Sequence, residues 1–184
     1  RTRRLTPRRS AEDNVRVAAA WVLERTLAAS SPVDVFLRGA LERFDERDQA
    51  LLRELVLGSL RWLRRLDDVL ERASDRKLAQ IDPALHATLR IAIYQLLFLD
   101  RVPPYAAVDE AVEQAQQRTH RDAASFVNAV LRRVARERHL EAWPVRDSDP
   151  VRQLALTESH PDFLVRRWLD RLLSIGYAVV YDYV

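Results

Sequence analysis

Leu89-Arg90-Ile91-Ala92-Ile93-Tyr94-Gln95-Leu96-Leu97-Phe98-Leu99-Asp100-Arg101 runs directly into Val102-Pro103-Pro104-Tyr105-Ala106-Ala107-Val108-Asp109-Glu110-Ala111-Val112-Glu113, and Ser125-Phe126-Val127-Asn128-Ala129-Val130-Leu131-Arg132 follows. With Leu85 added, the first part predicts a helix over 83–99 that is apolar on nearly every side. A helix of that kind cannot lie on a surface, so it belongs at the centre of the molecule. Pro103-Pro104 ends one element and opens the next, predicting a helix over 104–118. A further helix over 121–138 puts Val127, Val130, Leu131 and Val134 on one face at helical spacing.

Outward from this centre, helix-start signals recur. Ser10…Asp13, Asp45…Asp48, Thr119…Asp122 and Ser159…Asp162 place a capping side chain three residues before a carboxylate. Ser31-Pro32, Asp82-Pro83 and Asp149-Pro150 place a cap before a first-turn proline. These signals predict further helices near 11–29, 33–44, 46–73, 150–157 and 161–174. Helix 46–73 carries Leu52, Leu55, Ser59, Leu63, Leu66 and Leu70 at helical spacing, with Gly58 inside it. A helix-interior glycine costs about 1 kcal/mol relative to Ala; a close helix crossing is the simplest reason for it. No stretch alternates apolar and polar residues long enough for a sheet. The fold class is all-α.

The 184 residues suffice for one good core, or one core plus an appendage. Hydrophobic residues are 48% and charged residues 31%, which excludes a disordered chain. The formal charge is +3, and Lys77 is the single lysine, so nearly every cation is Arg. Five of these cations (Arg1, Arg3, Arg4, Arg8, Arg9) precede the first acid, Glu12. No apolar run reaches membrane-spanning length, and 1–10 has no apolar core for a signal peptide. A cytoplasmic location is expected.

The quoted segments resemble the NusB-like family, an all-helical RNA-binding fold. The fuller form, with its Val-Pro-Pro-Tyr-Ala-Ala-Val-Asp-Glu-Ala-Val continuation, is similar to the N-terminal domain of RsmB-type ribosomal RNA cytosine-C5 methyltransferases. His160-Pro161-Asp162-Phe163-Leu164-Val165-Arg166-Arg167-Trp168-Leu169 resembles the linker helix that joins the two halves of such enzymes. The resemblance implies a basic arm at 1–10 and a NusB-like RNA-binding bundle at 11–140. It also implies a connector and linker helix at 141–174, leading toward a catalytic domain absent from this chain. The β-branched and aromatic 175–184 falls outside it. The implied partner is RNA, specifically small-subunit ribosomal RNA, with a methyltransferase catalytic domain as a second candidate partner. A free-standing transcription antitermination protein of the NusB type is the alternative, and a helical protein-docking module is a third reading from a different class.

The resemblance implies S-adenosylmethionine as cofactor of the parent enzyme and none for this chain. Methyl transfer to cytosine carbon 5 in that class uses a cysteine nucleophile, a second cysteine and a glycine-rich cofactor turn. This chain has no cysteine, and Gly39, Gly58 and Gly176 are far apart. His86, His120, His139 and His160 are scattered, with no pair one helical turn apart, so a zinc site is not expected. Asp67-Asp68 and Asp109-Glu110 read as solvated faces with ion pairs such as Arg64–Asp68. Arg90 sits among apolar neighbours and needs a carboxylate, from Asp100 or from an acid of helix 46–73.

Three regions are candidates for RNA contact. The arm residues Arg3, Arg4, Arg8 and Arg9, with Arg16 on the first helix, offer cations for phosphates beside a helix N-terminus. Arg61, Arg64 and Arg65 form a second basic patch, weakened by Asp67, Asp68 and Glu71; a surface face with local ion pairs explains it equally. On helix 121–138, Ser125, Asn128, Arg132 and Arg136 share a polar face beside Phe126. Amide and guanidinium groups read bases and phosphates, and an exposed aromatic can stack on a base. Asn128 also suits backbone contacts to the preceding loop, and Phe126 is expected in the core.

Overall fold

The computed structural model describes residues 14–29, 31–118 and 121–174. These residues form α1 (Val15–Ala29), α2 (Asp34–Leu41), α3 (Glu46–Arg61), α4 (Leu63–Ser74), α5 (Pro83–Phe98), α6 (Pro104–Arg118), α7 (Arg121–Arg136), α8 (Pro150–Thr157) and α9 (Asp162–Ser174). Single 3-10 turns lie at Leu78–Gln80 and Leu140–Ala142. The all-α expectation holds, with no strand among the described residues.

The α5 helix is the axle. Every residue from Ala87 to Leu96 is buried, polar ones included. It packs against α1, α3, α4, α6 and α7. Its polar residues are satisfied from neighbouring elements, as burial demands. Arg90 is held by both oxygens of Asp67, at 2.7 and 3.0 Å, so its partner comes from the 46–73 segment rather than from Asp100. Thr88 donates to Gln114 at 3.2 Å, and Gln95 accepts from Arg16 Nε at 2.7 Å.

The predicted helix 46–73 is two helices. It breaks at Trp62, whose ring lies 4.8 Å from that of Phe98. The reason is geometric: α3 must pack on α1 and α5, whereas α4 packs on α5, α7 and α8. One straight helix cannot face both sets, and the break re-aims the second half. The crossing expected at Gly58 is present, and the Tyr94 ring from α5 fills the space beside it.

Helix starts separate into those set locally and those set by tertiary context. Asp45 accepts from Asp48 N at 2.9 Å, Asp82 from Ala84 N at 2.9 Å and Asp149 from Val151 N at 2.9 Å. All three caps are as expected. Asn14 accepts from Arg16 N at 2.9 Å and so caps the described start of α1. The proposed cap at Ser10 lies outside the described residues, as does that at Thr119. Ser31 is not a cap, because α2 starts at Asp34 and the Ser31 hydroxyl turns back toward the Ala29 carbonyl at 3.4 Å. Ser159 is not one either. It takes a left-handed conformation (φ 57°) that ends α8, with His160 N bonded to Ala155 O at 2.8 Å and Ser159 N to Leu156 O at 3.3 Å.

Two cores result. The large one joins α1 to α7 and includes Trp143, only 2% exposed. A small one joins α8 to α9 through Ala155, Val165 and Leu169. The link between them is largely polar. On α4, Arg64 bonds Asp162 at 2.6 Å and also the His160 carbonyl. Arg72 bonds the Pro144 carbonyl at 2.9 Å and lies 5.5 Å over the Trp143 ring. The Trp143 indole donates to the Glu137 carbonyl at 2.8 Å.

Candidate nucleic-acid interface

The α7 helix buries Val127, Val130, Leu131 and Val134, and this fixes the outward direction of its opposite face. Ser125, Arg132 and Arg136 are exposed there, and Asn128 is half-buried. The Asn128 side-chain oxygen accepts from Arg132 Nε at 2.8 Å, one turn along the helix. The structure therefore joins the two sequence-predicted residues into one unit, while the loop preceding α7, at 119–120, lies outside the described residues. That bond uses Nε and leaves the forked Nη end, the part of a guanidinium that grips a phosphate in two places.

Phe126 is half-buried and packs against the main core. Its core assignment holds for one side of the ring. The other side carries the Arg76 guanidinium, 5.1 Å from the ring centroid. Arg76 follows Asp75, which ends α4 in a left-handed conformation (φ 52°). Arg133 binds back to Asp75 at 2.8 Å and to the Ala73 carbonyl at 3.3 Å. The α4 terminus thus extends the α7 face with one more exposed cation. The sequence reading missed Arg76; the available signal was Arg76-Lys77 beside a helix-ending Asp, between two helices.

The other candidates fare differently. Arg3, Arg4, Arg8 and Arg9 lie outside the described residues. Arg16 is half-buried and bonded to Gln95, so it is built into the bundle. Burial holds its guanidinium below the ordinary range, against the opposing pull of Glu110 and Asp48. Arg61 is exposed at the end of α3, with no hydrogen bond among the described residues joining it to the Asn128–Arg132 pair.

Arg65 requires correction, since it is not part of an exposed basic patch. It is 4% exposed, pairs with Asp68 at 2.6 Å and donates to the Trp143 carbonyl. Burial again pushes its guanidinium down, with Asp68 opposing. Helical spacing turns Arg65 toward the Trp143 segment and Arg64 toward α9, so the expected Arg64–Asp68 pair becomes Arg65–Asp68 and Arg64–Asp162. The acids of this region are likewise occupied: Asp67 by Arg90, and Asp68 by Arg65 and Arg72.

Among the described residues, both glycines lie inside helices rather than in a phosphate-cradling turn, and no three His, Asp or Glu side chains group to hold a metal ion. No described helix is long and apolar enough to cross a membrane. The exposed face around α7 carries Arg132, Arg136 and Arg76.

Comparison with known proteins agrees with this architecture. The probable ribosomal RNA small subunit methyltransferase B of Bacillus subtilis (strain 168) is 41% identical over 127 residues, which are 68% of this chain and 27% of the relative. The ribosomal RNA small subunit methyltransferase B of Pseudomonas putida is 34% identical over 161 residues, 88% of this chain and 34% of the relative. The chain thus spans about a third or less of these relatives' length. Among solved structures, Thermotoga maritima NusB superposes with a TM-score of 0.64 at 25% identity, covering 74% of this chain and 99% of that one. A chain from the structure of antitermination factors NusB and NusE in complex with dsRNA superposes with a TM-score of 0.61 at 19% identity, and shares the fold. The NusB family itself matches residues 13–136, from the start of α1 to the end of α7, and on that match this chain belongs to the NusB family.

Proposed function

We propose that this chain is the RNA-binding, substrate-positioning domain of a small-subunit ribosomal RNA cytosine-C5 methyltransferase. The observation that carries the reading is the reach of the similarity. The Pseudomonas putida relative aligns over 161 residues, more than the family match at 13–136 can hold. The similarity therefore extends into the connector and the α8–α9 hairpin, which a bundle ending near residue 140 does not need.

In this reading the domain contributes affinity and placement, not chemistry. Arg132, braced by Asn128, and Arg136 hold backbone phosphates, and Arg76 on the Phe126 ring flanks them. The arm residues Arg3, Arg4, Arg8 and Arg9 add sequence-independent attraction. A methyltransferase domain is the second partner. The chain has no cysteine to serve as nucleophile, so in this reading the chemistry and its S-adenosylmethionine belong to that second domain. A free-standing antitermination protein is the second reading, favoured by the 99% coverage of Thermotoga maritima NusB.

The test is direct. Fluorescence anisotropy measures binding of the purified chain to unmodified small-subunit ribosomal RNA fragments and to single-stranded RNA of unrelated sequence, across a salt series. Tighter binding to ribosomal fragments, with a steep salt slope, supports the methyltransferase reading. A preference for the unrelated single strands removes the support for the methyltransferase reading. No salt-dependent binding to either RNA refutes both. Labelled S-adenosylmethionine added to the ribosomal fragments should leave no label on the RNA.

A further inference from the structure

The α8–α9 hairpin shares no core with the helices it rests on. No side chain from 150–174 belongs to the main core, whose last member is Trp143. The hairpin's own core is Ala155, Val165 and Leu169, with Val151 beside them. Leu154, Phe163, Trp168 and Leu173 stay exposed, so docking on the bundle hides little apolar surface.

Polar contacts hold the hairpin down instead. Arg64 on α4 spans the turn between α8 and α9, donating to the His160 carbonyl and to Asp162 at 2.6 Å. Both side chains of this ion pair reach solvent, Arg64 at 31% and Asp162 at 47% exposure. A cleft of about 480 Å³ opens between α4, the connector and α8, lined by Arg64, Asp68, Arg72, Arg146, Arg152 and Leu156 among others. Solvent ions therefore have access to the seam.

Other contacts divide cleanly between hairpin and bundle. Arg152 pairs with Asp147 at 3.2 Å and Arg166 with Asp149 at 3.8 Å, which ties the hairpin to its own connector. Arg65 on the Trp143 carbonyl and Arg72 on the Pro144 carbonyl anchor the connector's start to α4. Between these two sets lie residues 145–149, which form no helix. They are the natural hinge.

The turn that Arg64 spans is itself costly. Ser159 holds φ at 57°, a region that L side chains seldom enter. Its hydroxyl is buried with no hydrogen-bond partner among the described residues. Such a conformation persists only while surrounding contacts enforce it, and Arg64 bonds the two residues just beyond Ser159 that could do so from the bundle.

We propose that α8–α9 is a releasable strap with Arg64 as its latch. The hairpin swings as one unit about 145–149 when an anion competes for the Arg64 guanidinium, and simple salt is the plainest such competitor. Local opening of this kind needs far less free energy than unfolding the bundle.

Double electron–electron resonance on the full chain tests the strap. The chain has no cysteine, so two introduced ones take spin labels uniquely. Ala50→Cys on α3 and Leu173→Cys on α9, both at exposed positions, report the distance from bundle to strap. At low salt one narrow distance should dominate. From about 0.1 to 1 M sodium chloride the screening length falls from about 10 to 3 Å, and a second, broader population should grow at least about threefold. Screening acts on charges and leaves apolar burial intact, so this response separates a polar latch from an apolar seam. Circular dichroism should show the helices retained. Arg64→Gln and Asp162→Asn should each show the open population at low salt and lose most of its salt dependence. Arg133→Gln, which breaks the Arg133–Asp75 pair within the bundle, should match the parent. An unchanged distance across the salt series in the parent would overturn the proposal, even if Arg64→Gln failed to fold. Opening that comes only with loss of the bundle's helical signal would overturn it too, as would equal opening by Arg133→Gln.

Discussion

The Tyr94 ring on α5 occupies the space that a Cβ at Gly58 on α3 would need. The ring cannot easily retreat. It is 5% exposed, stacks on Phe98 with centroids 5.1 Å apart, and its hydroxyl donates to Glu54. Gly58→Ala should therefore destabilise by about 1–3 kcal/mol, the cost of overpacking, despite the better helix propensity of Ala. In a Tyr94→Ala background the same substitution should be neutral or stabilising. Gly39→Ala, with open space around it, should stabilise by about 0.5–1 kcal/mol. Thermal melts of the cycle check all three; additive effects at Gly58 and Tyr94 would show that no steric coupling exists.

Arg65 should behave as a structural residue. Arg65→Ala strips a charged partner from Asp68 and a donor from the Trp143 carbonyl. Asp68 retains Arg72 at 3.6 Å and some solvent, which moderates the loss to about 2–3 kcal/mol. Urea denaturation measures the change, and RNA affinity of the folded variant should match the wild type. Unchanged stability with weakened RNA binding would return Arg65 to the candidate interface.

On α7 two neighbours should separate cleanly. Arg132→Ala should weaken RNA binding by about 1–3 kcal/mol with little change in melting temperature, because the side chain is exposed. Phe126→Ala should cost about 3 kcal/mol of stability, the lower end for a core aromatic, since part of its ring is accessible. A stable Phe126→Ala protein that no longer binds RNA would identify Phe126 as a stacking surface.

Acid should loosen the turn after α4. Glu71 lies below the ordinary carboxylate range because Leu78 N–H donates to it at 2.7 Å, with Lys77 adding to the effect at 3.1 Å. A carboxylate depressed on folding stabilises the protein above its unfolded value. That contribution disappears as the pH falls through the lower folded value. The wild-type melting temperature should thus drop below about pH 4.5, and Glu71→Gln should flatten this limb. Parallel acid limbs in the two proteins would show that Glu71 contributes nothing to it.

Removing 1–9 should weaken RNA binding and reduce its salt slope, since each lost phosphate contact releases fewer counterions. The helical signal should persist, because Asn14 caps the described start of α1 from within the retained chain. Retention of the full salt slope would leave the arm no part in binding.

Local chemistry alone determined a good share of this protein. An all-round apolar segment had to become the axle, and α5 is that axle. Asp45, Asp82 and Asp149 cap their helices because a short acceptor beside unpaired backbone N–H groups needs no distant partner. The Asn128 and Arg132 pairing follows from one turn of helix. The tertiary structure decided the rest, wherever two local solutions were nearly equal in energy. Adjacent arginines on one helix point about 100° apart, and the burial of Arg65 while Arg64 reaches α9 depended on where Trp143 docked. The break at Trp62 depended on α3 and α4 facing different neighbours. Ser31 and Ser159 have the chemistry of caps, but the chain path turned them away. Arg76 reached Phe126 only because the left-handed Asp75 redirected the backbone, and no periodicity along the sequence encodes a contact made across two helices.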